Sequence, residues 1–246
     1  MRDVQFLPLD ETYELVIAVD NIGGVGLKEN DIVNVDYETV GHFGMRVAML
    51  ECLATGAQPL SAMIHNFCGD EAWQPLVSGV KQTLRELGIE HISITGSTES
   101  NFSLIQSAVG FLAIGKVKKN EKKIAKTPLS AKWAVIGLPL VGADVLKRRD
   151  QMAPLSLLQP LIQTEGVYEI LPVGSKGIGY EAKMLANMNG MEIKDIQTEL
   201  DLYASAGPAT CWIVTYDPSY ESTIRSIAKN WFHPLVVNIN HRQSLP

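Results

Sequence analysis

"GHFGMRVAMLECLATGAQPL" spans residues 41–60 and changes period partway along. Val47, Leu50 and Ala54 recur at the spacing of a helix face, and Gly56 offers a C′ residue on which that helix can end. From Pro59 onward "PLSAMIHNF" reads as a strand. A helix that hands on directly to a strand predicts layered α/β structure.

The same alternation extends on both sides. Upstream, "ELVIAVD" (14–20) is a short apolar strand that ends on Asp20. Downstream, "WQPLVSGVKQTLRELGI" (73–89) is an amphipathic helix with Leu76, Val80, Leu84 and Leu87 on one face and Gly88 as its stop. "HISITG" (91–96) and "SAVGFLAIGKV" (107–117) are two more strands. "GKVKKNEKKIAKTPLSAK" (115–132) then holds seven of the 21 basic residues and reads as a solvated hairpin or an interdomain linker. A second α/β half follows. "WAVIGLPLVGADVLKRR" gives a strand, a turn and a helix; "KGIGYEAKMLANMNG" a helix stopped by Gly190; "ATCWIVTYD" a strand; "YESTIRSIAKNWF" a helix. "HPLVVNINHRQSLP" ends the chain with a short strand and a frayed tail. The division expected is 1–127 and 128–246, with the joint near residues 118–132. No fixed-period repeat is visible.

Composition narrows the function classes. The 246 residues are 46% hydrophobic and 20% charged, enough to bury a sizeable core. A formal charge of −6 argues against non-specific binding to nucleic acid or anionic membrane. No secretory signal and no membrane span of ~20 apolar residues is visible. Cys52, Cys68 and Cys211 lie far apart, so free thiols in a reduced cytoplasmic setting are expected. The five histidines show no zinc spacing.

Three clusters carry chemistry. Asp20 leads into "DNIGGVGLKEND" (20–31), where Gly23, Gly24 and Gly26 let backbone approach a ligand and Lys28 is within reach of the same place. That pattern fits a phosphate site, and it fits equally a flexible turn with a surface Asp. Glu51 stands on an otherwise apolar helix face; it is either half of an ion pair with Arg46 or Lys28, a solvent-facing Glu, or an oxygen ligand for a hard cation such as Mg²⁺. "ITGSTESN" (94–101) runs from a strand into Gly96, Ser97, Thr98 and Glu99, which is ordinary turn chemistry and also suits a metal-bound triphosphate.

Together these stretches, with "AVGFLAIGKV" and "VIGLPLVGADVLKRR", resemble the aminoimidazole ribonucleotide synthase-like superfamily over most of the chain. Its most specific mark here is the helix ending in "ATGAQPL". The resemblance implies a PurM-like α/β (α+β) fold of two domains. The N-terminal ATP-binding domain would dimerise through its sheet, forming a barrel across the interface, and a C-terminal α/β domain would follow. It implies ATP and Mg²⁺ as cofactors and a homodimer acting on a small molecule. In the match, Asp20 falls on the family's first strand-end Asp, Glu51 on its metal-binding Asp, and Gly96–Glu99 on its Gly-Gly-(Asp/Glu)-Thr turn. Asp20, Glu51, Asp36 and Glu99 are the expected metal ligands. Asn21, Gly23, Gly24, Gly26, Lys28, Gly96, Ser97 and Thr98 are the expected nucleotide contacts. The chain departs from the family at a shortened amino end, at Thr98 in an acidic position, and at Pro172 and Ser175 where the family carries acids. There Lys176 replaces a glycine. Gly174, Ser175, Lys176 and Gly177 form a glycine-rich turn ahead of a helix, an anion-favouring N-terminus, with Lys176 expected to stabilise the moving phosphoryl group. Short members with a "VDNIGG" start, the α-ribazole kinases, look most like this chain. They imply transfer of the γ-phosphoryl of ATP to the 5′-hydroxyl of a riboside, with Asp20 and Lys176 as catalytic residues. A thiamine-phosphate kinase-like enzyme, a cyclo-ligase and a non-catalytic nucleotide-binding dimer are the alternatives.

Overall fold

The computed structural model describes residues 3–241. The chain forms two compact units that part between Lys122 and Lys123.

The first unit contains β1 (Val4–Pro8), β2 (Tyr13–Gly23), two-residue β3 (Val25–Gly26) and β4 (Val33–Asn34), and α1 (Tyr37–Ala54). β5 (Gln58–Asn66), α2 (Trp73–Leu87), β6 (Ser93–Thr98) and β7 (Ala108–Lys118) complete it. Five strands form one sheet in the order β1-β2-β7-β5-β6. β5 and β6 pair in parallel through the α2 crossover, while the other pairs are antiparallel. β2, β5 and β6 therefore all end at one rim, where β7 begins.

Alternation sorts the side chains between two faces. Val16 and Ala18 of β2, Phe111 and Ala113 of β7 and Ala62 and Ile64 of β5 are fully buried or nearly so beneath α1 and α2. Close approach of α1 depends on Gly44, where a Cβ would collide with the Phe111 ring. The two helices meet at Gly41 and Gly79, each too near the other helix's backbone to carry a side chain. On the opposite face Leu15, Ile17, Met63, Leu112 and Ile114 are only half-buried and Val19 is 43% exposed. No described element of this unit covers that face.

The second unit holds β8 (Lys132–Ile136), α3 (Ala143–Lys147), α4 (Leu158–Gln163), β9 (Val167–Pro172), α5 (Gly177–Met188), β10 (Met191–Gln197), β11 (Trp212–Tyr216), α6 (Glu221–Ala228) and β12 (Phe232–His241). Its antiparallel sheet runs β10-β12-β8-β11-β9. Trp133, Val135, Leu171 and Ile213 pack under Ile178, Ala182 and Leu185 of α5.

Several elements differ from the sequence reading. β2 does not stop at Asp20 but pairs with β7 as far as Gly23, because β7 supplies partners down to Ala108. α1 starts four residues before Gly41, at Tyr37, since Asp36 caps it by accepting from Thr39 N at 2.6 Å. Gly96, Ser97 and Thr98 form no turn; they continue β6 beside Ile64, His65 and Asn66. α6 ends at Ala228, and Phe232 already belongs to a ten-residue strand. Residues 242–246 of the expected frayed tail lie outside the described residues. The division falls five residues ahead of 127/128 because residues 123–127 are held by the second unit. There the fully buried Glu169 accepts from the N–H groups of Ala125, Lys126 and Thr127, from Thr127 Oγ1 and from Asn189 Nδ2. Lys123 Nζ donates to the Ile162 carbonyl at 2.6 Å. Around the joint Lys118 pairs with Glu121 and Lys122 with Glu14, and Lys119 donates to the Asp10 carbonyl, so these lysines are engaged rather than merely solvated.

Candidate functional site

The rim at which β2, β5 and β6 end gathers three loops, residues 24–36, 67–72 and 99–107. Asp31 ties the first to the third. It accepts from Ser107 N and Ser107 Oγ, both at 2.7 Å, and from Lys28 N at 2.9 Å. Burial pulls its carboxyl upward, but those bonds and the Lys28 charge outweigh it and hold the carboxyl below its usual range. Ser107 Oγ also meets Tyr37 OH at 3.0 Å.

This knot explains two of the glycines. Gly24 has φ +68°, donates its N–H to Ser107 O at 2.8 Å, and so does not offer that N–H to a ligand. At Gly26 a Cβ would strike Ser107 Oγ and the Tyr37 ring. Lys28 Nζ donates to the Leu104 carbonyl at 2.8 Å, which holds its ammonium at the rim.

Asp20 lies three residues before the end of β2, on the helix-facing side of the sheet, opposite Phe111. It is half-buried. Burial pushes its carboxyl up to about 7; the Asn21 N–H opposes the rise and the charge of Asp3 adds to it. Asp3 precedes β1 and lies opposite Val19, whose N–H donates to the Asp3 carbonyl at 3.4 Å, and its charge is the smallest of the three influences on Asp20. Among the described residues no basic side chain counters the rise. A carboxylate in that state is a hard oxygen donor whose ionised form a divalent cation would favour, so Asp20 fits Mg²⁺.

The four-carboxylate set expected from sequence is not assembled. Gly44 sits on the ring of Phe111, the partner of Asp20, whereas Cys52 reaches Gly115, the partner of Val16. Glu51, 8% exposed, precedes Cys52 on α1, two turns beyond Gly44. Asp36 is occupied as the cap of α1. Glu99 turns back on its own loop and accepts from Asn101 N at 2.7 Å and Phe102 N at 3.3 Å, bonds that lower its carboxyl's pKa. Among the described residues no three His, Cys, Asp or Glu side chains form a metal-binding group. Asp3 was missed because its pairing with Val19 is non-local; the one local signal is alternation in "DVQFLP".

Of the expected nucleotide contacts, Asn21 and Gly23 project from β2 on the face opposite to Asp20. Gly96 is required by packing, since a Cβ would collide with the Ile64 carbonyl. Thr98 Oγ1 accepts from the buried Asn66 amide at 3.1 Å, and Asn66 also donates to Gly69 O. Ser97 is exposed beside His65. In the second unit, Gly174, Ser175 and Lys176 lead into α5, and Gly177 lies against the carbonyls of Leu202 and Ala204. Ser175 and Lys176 are exposed, and Lys176 Nζ lies 4.4 Å from the centre of the Tyr180 ring and 3.3 Å from its hydroxyl.

Residues 2–117 match the family model described as AIR synthase related protein, N-terminal domain. No curated protein matches the sequence. Among solved structures, T. maritima PurL complexed with ADP is 13% identical with a TM-score of 0.67, over 98% of this chain and 42% of that one. The chain therefore spans less than half the length of that relative. The thiamine monophosphate kinase of Aquifex aeolicus is 12% identical with a TM-score of 0.67, over 98% of this chain and 89% of that one. A HypE–HypF complex gives 15%, 0.67, 98% and 88%. At these identities the likeness is one of fold, and the α/β, PurM-like fold expected from sequence is the fold observed. No helix among the described residues is long and apolar enough to cross a membrane.

Proposed function

We propose that this chain is an ATP- and Mg²⁺-dependent small-molecule kinase. One observation carries the reading: the half-buried Asp20, its carboxyl raised to about 7 by burial, lies on the strand that leads into the Lys28 loop. An underneutralised carboxylate near a loop-lined rim is what a cation site needs and what a structural role would avoid. The family match over residues 2–117, and the ADP-bound and thiamine monophosphate kinase neighbours in fold, support a nucleotide as ligand.

Phosphoryl transfer rests on positioning and charge neutralisation. Asp20 would hold Mg²⁺, which when bound screens the triphosphate. Lys28, held by Leu104 O, adds a cation at the same rim. Asn21, Gly23, Ser97 and Thr98 border it from the sheet. Lys176, exposed at the start of α5, is our candidate for neutralising the transferred phosphoryl group. For the acceptor we take the 5′-hydroxyl of α-ribazole, on the resemblance of the "VDNIGG" start to α-ribazole kinases. The open, apolar face of the first unit's sheet supports dimerisation, sheet against sheet, which light scattering on the purified chain tests directly.

The deciding assay is incubation with labelled ATP and Mg²⁺ against α-ribazole, thiamine phosphate and common nucleosides. The proposal expects one phosphorylated riboside and stoichiometric ADP. Turnover of formylglycinamidine ribonucleotide would replace it with a cyclo-ligase. ATP binding with no product across the panel would replace it with a non-catalytic binder. Asp20→Asn is expected to lower kcat/KM by about 100-fold or more, since it removes a charged donor to the cation.

A further inference from the structure

The first unit's sheet stops at β6, the last strand in its order, without the devices that commonly blunt an exposed edge. Ser93–Thr98 reads SITGST, with no lysine, no proline and no charge, and its pairing with β5 carries no bulge. Ser93, Thr95, Gly96 and Ser97 are exposed. One bond fixes where the unused backbone groups point. Glu99 N donates to Asn66 O on β5. By alternation Thr95 and Ser97 also turn their backbone groups toward β5, and Ile94, Gly96 and Thr98 turn theirs outward.

Beside that edge a groove of about 470 Å³ runs between β6 and α2. Ile92 and Ile94 line it from the strand side, and Leu84 from the buried stripe of α2. Trp73, Val77, Lys81 and Arg85, four residues apart, form the next ridge of α2 and line it as well. Trp73 and Val77 are only half-buried, so the sheet ends one strand short of covering the apolar part of that ridge. At the other end of the ridge Lys81 and Arg85 are exposed, and among the described residues neither side chain has an ion-pair partner. Glu90 is the one carboxylate among the lining residues.

We propose that this groove takes an extended, acidic and apolar segment of a partner polypeptide, added as a sixth strand beside β6. Its backbone would bond to the outward groups of Ile94, Gly96 and Thr98. Alternate side chains would enter the groove, apolar ones against Trp73, Val77 and Ile94 and a carboxylate against Lys81 and Arg85. Charge separates this occupant from a second copy paired edge to edge: β6 carries no acid of its own to bring to the two cations. The edge is also distinct from the open sheet face, and the inference does not rest on the kinase reading.

The probe is a short capped peptide that alternates valine with glutamate, titrated into the full ¹⁵N-labelled chain. Binding should slow amide exchange at Ile94, Gly96 and Thr98 by at least about tenfold and shift the Trp73 indole signal, with Thr95 and Ser97 little changed. Lys81→Glu and Arg85→Glu, both at exposed helix positions, should each weaken binding by at least about tenfold, and a valine–lysine peptide should bind the double variant better than it binds wild type. Two further peptides need no variant of the protein. Methylating the backbone nitrogens of one alternate set of peptide residues should abolish binding, and methylating the other set should leave it, because a strand offers each set to one edge only. No binding of the valine–glutamate peptide to wild type overturns the proposal. So do equal affinities for the two methylated peptides, or affinities unmoved by both charge reversals. Protection of the same three amides in the peptide-free chain, rising with the mass of the assembly in light scattering, gives the edge to a second copy and overturns it too.

Discussion

Replacing Asp20 with asparagine should stabilise the metal-free protein, and only above a certain pH. The folded-state pKa of Asp20 is about 7 against an ordinary 3.8. Between those values the folded chain holds a proton that the unfolded chain has released, so the contribution of Asp20 to stability falls as pH rises from about 4 to 7 and is flat beyond. Roughly three pH units at about 1.4 kcal/mol each give an upper bound of ~4 kcal/mol. Asparagine mimics the protonated acid and is spared this cost. At pH 8 the variant should exceed wild type by about 2 to 4 kcal/mol, and near pH 4 the two should coincide. With an m value of ~2 kcal/mol per molar urea, the midpoint moves by about 1 to 2 M at pH 8. Urea unfolding followed by circular dichroism at pH 4.5, 6 and 8 measures the difference, and a ¹³C titration of the Asp20 carboxyl reads its pKa directly. Mg²⁺ should raise the wild-type midpoint and leave the variant's unchanged, because a ligand stabilises only the state that binds it. A stability difference independent of pH, or a carboxyl titrating near 4, refutes the reasoning, and with it the claim that Asp20 is poised for a cation.

Three further outcomes follow from the geometry. In Glu169→Gln one of the carboxylate oxygens becomes an NH₂ group facing donors from residues 125–127 or Asn189, leaving at least one buried donor unpaired; a loss of ~1 to 3 kcal/mol should appear in urea unfolding of the second unit, and none would contradict the assigned bonds. Asp36→Ala removes the α1 cap bond to Thr39 N and should cost ~1 kcal/mol with kcat/KM per folded molecule kept within about twofold, an outcome that a metal-ligand role for Asp36 would not allow. Asp31→Ala frees Ser107 and Lys28 together, so amide exchange at both should accelerate by an order of magnitude or more, while exchange in α2 stays as it was.

The sequence made the elements legible and left their ends and meetings obscure. The α1–β5 succession is written in local periods, Val47, Leu50 and Ala54 and then the run from Pro59, and local periods survive without knowledge of the fold. The end of β2 differs because Asp20, Asn21 and the glycines look like a turn locally; their strand geometry comes from β7, about ninety residues away in sequence, with Asp20 against Phe111. β9 and β10 carry no strand signal in the sequence reading, since Met191–Gln197 breaks its alternation at Lys194 and Asp195 and acquires its meaning only beside β12. Asp20 was legible as a site residue, an acid after an apolar run. Its acidic neighbour was not. Glu51, the acid expected beside it, shares the helix that covers Asp20 but lies two turns further on, while Asp3 reaches it through an edge strand whose register no local pattern announces.

Glu169 has a consequence for how such chains can be recombined. Residues 123–127 look like part of a dispensable lysine-rich tether, yet they are the lid over a carboxylate that has no water to turn to. An exchange of carboxyl-terminal halves between homologues that breaks the chain at the compositional seam, after residue 127, would separate that lid from the group it covers. The natural crossover point lies earlier, ahead of Lys123, so that the five residues travel with the half whose interior they complete.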